Sequence, residues 1–251
     1  MDVYWLEQKL SDVPDENQWL STSETEYLNA LRFPKRRADW RLGRWTAKRA
    51  ASVYLGLYSD PQSIADVEIR PAASGAPEVF IAGRPAAASI SLSHSNGTAF
   101  CAIAPLGTAL GCDLELIEPR SDAFIADYFT SEEQALVAQA SAADRPLLTT
   151  LLWSAKESAL KALHEGLRQD TRSVTVSLSG APRSHRVDGQ EPGFDFALSF
   201  SQAGDNAWHP LKVCYTDGRS FHGCWQQTGN LLRTLVAAPP PITPIALELL
   251  I

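Results

Sequence analysis

Apolar and polar residues alternate most clearly over 89–93, where Ile90 and Leu92 face one way and Ser89, Ser91 and Ser93 the other. That period predicts a half-buried strand. Turn residues Ser95, Asn96 and Gly97 follow, then a second predicted strand over 99–104, and a link through 105–108 to a third over 110–116. Shorter strand-like runs lie at 3–6, 67–70, 79–81, 173–178, 194–200, 211–215 and 221–225. A different period marks the helices. Trp40, Gly43, Ala47 and Ala51 recur at helical spacing and predict a helix from 35 to about 54, entered after Pro34. Ser21 or Ser23 caps an earlier helix through Tyr27, Leu28 and Leu31, with Glu24 and Glu26 in its first turn. Thr130 and Glu133 form a capping box for a helix over 135–140, and a longer helix runs from about 145 to 167.

This order of elements predicts an α+β fold of two similar units, 1–108 and 109–233, each read as helix first and strands after. No literal sequence repeat relates them. Residues 234–251 are Pro-rich and then apolar, a tail that is either a flexible end or a segment packed back on the body.

Composition narrows the class. The 251 residues suit one large domain or two small ones, and 45% apolar with 20% charged residues excludes a disordered or fibrous chain. No apolar run reaches membrane-spanning length, and the first ten residues, MDVYWLEQKL, lack a secretion signal, so a cytoplasmic protein with no membrane partner is expected. Cys101, Cys112, Cys214 and Cys224 contain no C-x-x-C pair and read as buried thiols. A net charge of −7 argues against nucleic acid as a partner. Yet eight of the 22 basic residues fall within 32–49, against the single acid Asp39. Arg37, Arg41, Arg44 and Lys48 share a helical stripe there, which suggests a local anion site.

Three segments carry candidate chemistry. In Gly111-Cys112-Asp113-Leu114-Glu115 the two acids lie two apart on a strand, on one face and about 6.5 Å from each other. Paired hard oxygen donors suit Mg²⁺, although a solvated acidic edge has the same pattern. In Trp153-Ser154-Ala155-Lys156-Glu157-Ser158-Ala159-Leu160-Lys161, Glu157 and Lys161 meet at i, i+4, either as a surface ion pair or as an acid and a cation beside a phosphate. Ser91-Leu92-Ser93-His94-Ser95-Asn96-Gly97 ends a strand on a histidine that is either a plain loop residue or a ligand contact. The chain has no G-x-S-x-G elbow and no Walker A loop.

Taken in order, the basic helix with G-R, then S-L-S-H-S, G-C-D-L-E and W-S-A-K-E-S-x-x-K resemble the 4′-phosphopantetheinyl transferases, in particular the large, monomeric, pseudo-duplicated class of surfactin and enterobactin type. The motif-bearing region, 32–161, covers about half the chain. The resemblance implies two α+β halves, each with helices packed on a small, mostly antiparallel sheet, the first gripping the nucleotide and the second holding metal and catalytic residues. It implies a holo-acyl-carrier-protein synthase type of enzyme. Phosphopantetheine would pass from coenzyme A, the co-substrate, to a serine of an apo acyl or peptidyl carrier protein, and adenosine 3′,5′-bisphosphate would be released.

Carried over residue by residue, the resemblance makes Asp113, Glu115 and Glu157 the ligands of Mg²⁺ or Mn²⁺. Ser93 and His94 contact coenzyme A, the histidine near its 3′-phosphate, and Arg36 and Arg44 grip its phosphates; Asp113, Glu157 and Lys161 complete the cofactor contacts. Glu157 is the expected base and Lys161 the cation at the leaving phosphate. Many relatives carry a lysine where this chain has Ser74-Gly75-Ala76-Pro77, so either another cation, Arg70 or Arg84, substitutes or the nucleotide grip rests more on the basic helix. Phe124, Tyr128 and Phe129 are either core or a docking patch for the carrier. Competing readings are a metal-dependent phosphohydrolase and a non-catalytic coenzyme A-binding module.

Overall fold

In a computed structural model, which describes residues 1–57, 61–164, 169–178 and 206–249, the chain forms two sheets with helices packed on each. The first unit runs β1 (Tyr4–Lys9), α1 (Thr22–Ala30), α2 (Pro34–Tyr54), the short α3 (Pro61–Ala65), β2 (Val67–Pro71), β3 (Pro77–Ile81), β4 (Arg84–Ser95) and β5 (Thr98–Pro105). The second runs β6 (Ala109–Leu116), α4 (Asp122–Tyr128), α5 (Ser131–Gln139), α6 (Arg145–Ala162), β7 (Val174–Leu178), β8 (His209–Tyr215), β9 (Ser220–Thr228) and β10 (Leu231–Ala238). A two-residue strand, β11 (Ile245–Ala246), follows.

Topology bears out the two similar units that the order of elements predicted, although no literal sequence repeat relates them. The sheets are ordered β11-β1-β5-β4-β3-β2 and β6-β10-β9-β8-β7. Without β11, each places its opening strand beside its closing strand and then counts backward through the others. All pairings are antiparallel except β1 with β11. Each unit therefore opens on a strand, not on a helix as the sequence pattern suggested, because the apolar alternation of β1 is too short to dominate the polar stretch behind it.

Both units also repeat one buried device. Lys48 on α2 lies 2.5 Å from Glu24 Oε2 and donates to the Trp19 carbonyl; Glu24 Oε1 in turn accepts from the Ile69 N–H of edge strand β2. Lys156 on α6 lies 2.8 Å from Glu133 Oε2 and donates to the Thr171 and Val174 carbonyls, while Glu133 Oε1 accepts from Val176 N–H of edge strand β7. Glu24 and Glu133 are the third residues of capping boxes opened by Ser21 and Thr130. One carboxylate thus caps a short helix, pins an edge strand and neutralises a lysine that is fully buried.

The sheets meet through Val3, Phe100, Ala102, Leu110, Cys112, Leu114 and Leu235. Arg233 on β10 crosses between them to Glu7 on β1 at 2.6 Å. The 231–238 strand continues beyond 233, where the sequence pattern ended the second unit. The tail packs back. Ile245 and Leu247 N–H donate to the Val3 and Trp5 carbonyls, and Leu247 and Leu249 join the core under α2. The run at 194–200 and the expected helix end at 165–167 fall outside the described residues. All four cysteines are free thiols, Cys101 and Cys112 buried and the other two half-buried.

Candidate active site

Gly111 determines how closely the second unit's helix sits on its opening strand. A Cβ there would fall 1.7 Å from the Ser158 carbonyl oxygen and 2.8 Å from the Ala162 nitrogen, so only glycine lets α6 lie this close to β6. That approach brings Ser154, Glu157, Ser158 and Lys161 of α6 over Asp113 and Glu115 of β6. The edge of β6 abuts β4 of the first unit, where Ser91 Oγ accepts from Cys112 N–H and Ser93 Oγ donates to Asp113 Oδ1 at 2.8 Å.

Asp113, 2% exposed, is the centre of the cluster. Its Oδ1 also takes a hydrogen bond from Lys161 Nζ at 2.7 Å, and its Oδ2 one from Ser154 Oγ at 2.8 Å. Lys161 Nζ further donates to the Cys112 carbonyl at 3.0 Å and stands 3.9 Å from Glu157 Oε2. Glu115 is held separately. Trp153 Nε1 donates to its Oε1 at 3.0 Å and Arg120 Nη2 to its Oε2 at 3.2 Å.

The electrostatics follow from these contacts. Burial, the Asp113 charge and then Glu115 push the Glu157 carboxyl up to about 7, with Lys161 opposing. Glu115 is raised by burial and by Asp113, against Arg120, Trp153 and Lys161. Burial works against the Lys161 charge, but Asp113, Cys112 and Glu157 outweigh it and its pKa moves up. The Cys112 thiol is pushed to about 11 by burial and stays protonated. Three carboxylates that repel one another are the donor chemistry a hard divalent cation would relieve, and in that sense the residues fit one. As they stand their oxygens are shared out among Lys161, Arg120, Trp153 and serines. Among the described residues no three His, Cys, Asp or Glu side chains gather around a common point.

The other expected residues lie at varying removes. His94 is exposed at the end of β4, paired across the strands with Ala99. Arg36 is exposed at the start of α2 and has no ion pair or hydrogen bond among the described residues. The cationic stripe is not an open anion site. Arg37 donates to the Leu28 and Leu31 carbonyls at the end of α1, Arg41 to Pro14 and Asp15, Arg44 to Ile69, and Lys48 is buried on Glu24. These carbonyl and carboxylate partners turn a row of charges into tethers between α2 and its surroundings, a role that spacing alone does not distinguish from ligand binding. Arg44 also lies over Trp40 at 4.7 Å and 3.8 Å from Glu24. Arg70 is paired with Glu68 at 3.0 Å, whereas Arg84 is exposed at the start of β4.

The aromatic trio divides. Phe129 is fully buried core. Phe124 is partly buried, and the 37%-exposed Tyr128 and Phe124 each meet Trp153 edge-on at 5.0 Å. Four contributors carried no assigned role in the sequence reading: Trp153 and Ser154, visible within their motif, and Arg120 and Thr234, which no motif marks. Thr234 reaches α6 only through the folding of β10 beside β6.

The sequence pattern of the 4′-phosphopantetheinyl transferase superfamily matches residues 109–212, the stretch that supplies Asp113, Glu115, Glu157 and Lys161. The chain carries a domain of this superfamily. It is similar to the 4′-phosphopantetheinyl transferase HetI of Nostoc sp., at 28% identity over 165 residues that cover 64% of this chain and 67% of that protein. Among solved structures it is similar to a holo-(acyl-carrier-protein) synthase from Bacillus anthracis in complex with coenzyme A (3′,5′-ADP), with a TM-score of 0.35 and 21% identity over 41% of this chain and 92% of that one. A second, the Helicobacter pylori holo-[acyl-carrier-protein] synthase in complex with coenzyme A, has a TM-score of 0.29 and 16% identity over 41% and 98%. Among the described residues no helix is long and apolar enough to cross a membrane.

Proposed function

We propose that the protein is a 4′-phosphopantetheinyl transferase of the large, two-unit type, moving the phosphopantetheine arm of coenzyme A onto a serine of an apo carrier protein. The observation that carries this reading is Glu157. Its carboxylate, with a pKa of about 7, has only the 3.9 Å approach of Lys161 for a partner among the described residues, so it is free to take a proton.

In this reading Glu157 accepts the proton of the carrier serine as its oxygen attacks the β-phosphorus of the pyrophosphate. Lys161 neutralises charge on the departing adenosine 3′,5′-bisphosphate. Catalysis of such a transfer is positioning and electrostatic stabilisation more than covalent chemistry. Asp113, Glu115 and Glu157 would hold Mg²⁺ or Mn²⁺, which supplies charge neutralisation at the pyrophosphate when bound. Ser93 and His94 are assigned to coenzyme A, with Arg36 and Arg44 to its nucleotide phosphates. Arg36 is the readier of the two, since Arg44 already serves Ile69.

For the carrier, the face around Phe124, Tyr128 and Trp153 is the favoured docking surface. Beside it a groove of about 560 Å³ between α4, α5 and α6 is lined by Val137 and Pro146 and edged by Arg120, Arg145 and Asp122, with Arg145 paired to Asp122 and Arg120 to Glu115 and Glu118, an apolar floor with charged edges that suits a helical partner. Mass spectrometry of a panel of apo carriers after incubation with protein, coenzyme A and Mg²⁺ tests the proposal. A carrier gaining one phosphopantetheine mass supports it. Release of bisphosphate from coenzyme A at the same rate without any carrier would favour a phosphohydrolase instead.

A further inference from the structure

Behind Asp113, on the side away from Ser93, lies a row of hydroxyls that the motifs do not account for. Ser154 Oγ is 2.8 Å from Asp113 Oδ2 and 2.8 Å from Thr234 Oγ1, and Thr234 Oγ1 is 2.7 Å from Ser158 Oγ. Ser154, Ser158 and Thr234 are all fully buried. Each hydroxyl has one proton to give. Asp113 is an acceptor for Ser93, Lys161 and Ser154, so the Ser154 proton is spent on Asp113 and Thr234 must donate to Ser154. Thr234 then has none left for Ser158, which donates to Thr234. The row has a single direction: Ser158 to Thr234 to Ser154 to Asp113.

The first unit shows that the fold does not need this row. The strand pair facing α2 at the matching place is Leu6 with Cys101, both buried in the core with Ala50 of the helix. Thr46, a buried hydroxyl on α2, turns back to the Leu42 carbonyl of its own helix. The same architecture is thus built once with apolar packing and once with three aligned buried hydroxyls, and the difference between the two is the presence of Asp113.

We infer that Thr234 is a positioning residue for the candidate reaction: through Ser154 it fixes the Asp113 carboxylate so that Oδ1 faces Ser93, Lys161 and the cofactor side. Hydroxyls in one such chain polarise one another, so the middle member matters to both neighbours. Thr234 lies on β10, beyond the matched stretch 109–212, and Asp113 is its partner in strand register. This inference rests on the proposed reading for its kinetic and Mn²⁺ arms; the ¹³C arm is independent of it.

The test compares wild type, Thr234→Val, Thr234→Ser and Asp113→Asn in the full chain. Four quantities are read: thermal midpoint, Mn²⁺ affinity of the free protein by paramagnetic resonance of unbound Mn²⁺, kcat and KM for coenzyme A in carrier modification, and the ¹³C signal of the Asp113 carboxyl. Thr234→Val keeps the shape and removes the hydroxyl. It is expected to weaken Mn²⁺ binding and lower kcat by about tenfold each, as losing a partner behind a ligand does, and to shift the Asp113 signal. KM for coenzyme A should change little, which a general loosening of the fold would not give. Thr234→Ser should restore all three. Wild-type behaviour of Thr234→Val, or equal impairment of Thr234→Ser, overturns the inference. If Asp113→Asn leaves Mn²⁺ binding and transfer intact, the assignment of Asp113 as a metal ligand fails instead, and the ¹³C signal alone then decides whether Thr234 orients Asp113; if no variant and no wild type modifies a carrier, the transferase reading fails.

Discussion

Lys161 Nζ sits 2.7 Å from Asp113 Oδ1, in a cluster where Glu157 and Glu115 also carry or can carry negative charge. One ammonium on α6 is therefore the nearest counter-ion to the deepest carboxylate on β6, and it also bonds the Cys112 carbonyl of that strand. Lys161→Met keeps the apolar stem and removes the charge. In the presence of a chelator this variant is expected to lose about 1.5–3 kcal/mol of unfolding free energy, the usual worth of a hydrogen bond to a charged group. Millimolar Mg²⁺ should return more stability to the variant than to the wild type, since it replaces a missing positive charge. Urea titrations with and without Mg²⁺ check both. Equal Mg²⁺ effects would mean that the carboxylates do not share an ion.

A second expectation concerns pH. The Glu157 carboxyl titrates near 7 in the folded chain, chiefly because of burial and then Asp113, against a reference value of 4.5. Between these values the folded state binds the proton that the unfolded state has released. The stability from this group is therefore full below pH 4.5 and is lost as pH rises through about 7. Glu157→Gln removes that loss. The variant should be more stable than wild type at pH 8 and similar at pH 5, in metal-free buffer. Its transfer activity should fall by orders of magnitude. Stability and activity moving in opposite directions distinguishes a functional carboxylate from a structural one.

Much of this site is visible in the linear sequence because its chemistry depends on short-range spacing. Asp113 and Glu115 share a face by the two-residue period of β6, and Glu157 and Lys161 by the four-residue period of α6. The alternation at Ser89–Ser93 likewise located β4 and the Ser93 contact. What the pattern could not convey was non-local. The element order suggested two similar units, but their shared strand order shows only when β1 is seen beside β5 and β6 beside β10, and the lysine–glutamate devices at Lys48 and Lys156 look like ordinary surface charges until the helices dock. Thr234 was read into the tail because a Pro-rich segment begins five residues after it, at Pro239, yet β10 lies in the interior of its sheet. The tethers of Arg37, Arg41 and Arg44 were hidden for a related reason: a stripe gives the direction in which charges point, not the carbonyls that meet them.

The arginines of α2 supply a third prediction. Arg36 has no partner to lose among the described residues, so Arg36→Ala should leave the thermal midpoint unchanged and weaken coenzyme A binding, with the deficit shrinking as salt is raised. Arg44 holds the Ile69 carbonyl of β2 and stacks on Trp40, so Arg44→Ala should lower stability by about 1–3 kcal/mol even without ligand. Calorimetric titration with coenzyme A and with its form lacking the 3′-phosphate, beside thermal melts, separates the two roles. An Arg36 variant that binds both ligands as wild type does would remove this residue from the nucleotide grip.

The close contact between β6 and α6 gives the last prediction, because everything at the site depends on it. At Gly111 a methyl group would meet the Ser158 carbonyl oxygen at 1.7 Å and its carbon at 2.8 Å, backbone atoms that no side-chain rotation can move aside. Gly43, the glycine at the middle of α2, differs: its nearest neighbour is the flexible end of Leu92 at 3.1 Å. Gly111→Ala must therefore separate helix from strand, whereas Gly43→Ala needs a small shift of one leucine and gains helix propensity. The first is expected to cost about 3 kcal/mol or more and the second about 1 kcal/mol or less. Separation at Gly111 also carries Ser154, Glu157 and Lys161 away from Asp113, so Gly111→Ala should lose carrier modification even at temperatures where it remains folded. Denaturant unfolding of both variants, with activity assayed well below each midpoint, measures this. Full activity in a folded Gly111→Ala protein would show that the site tolerates a looser helix than its geometry implies.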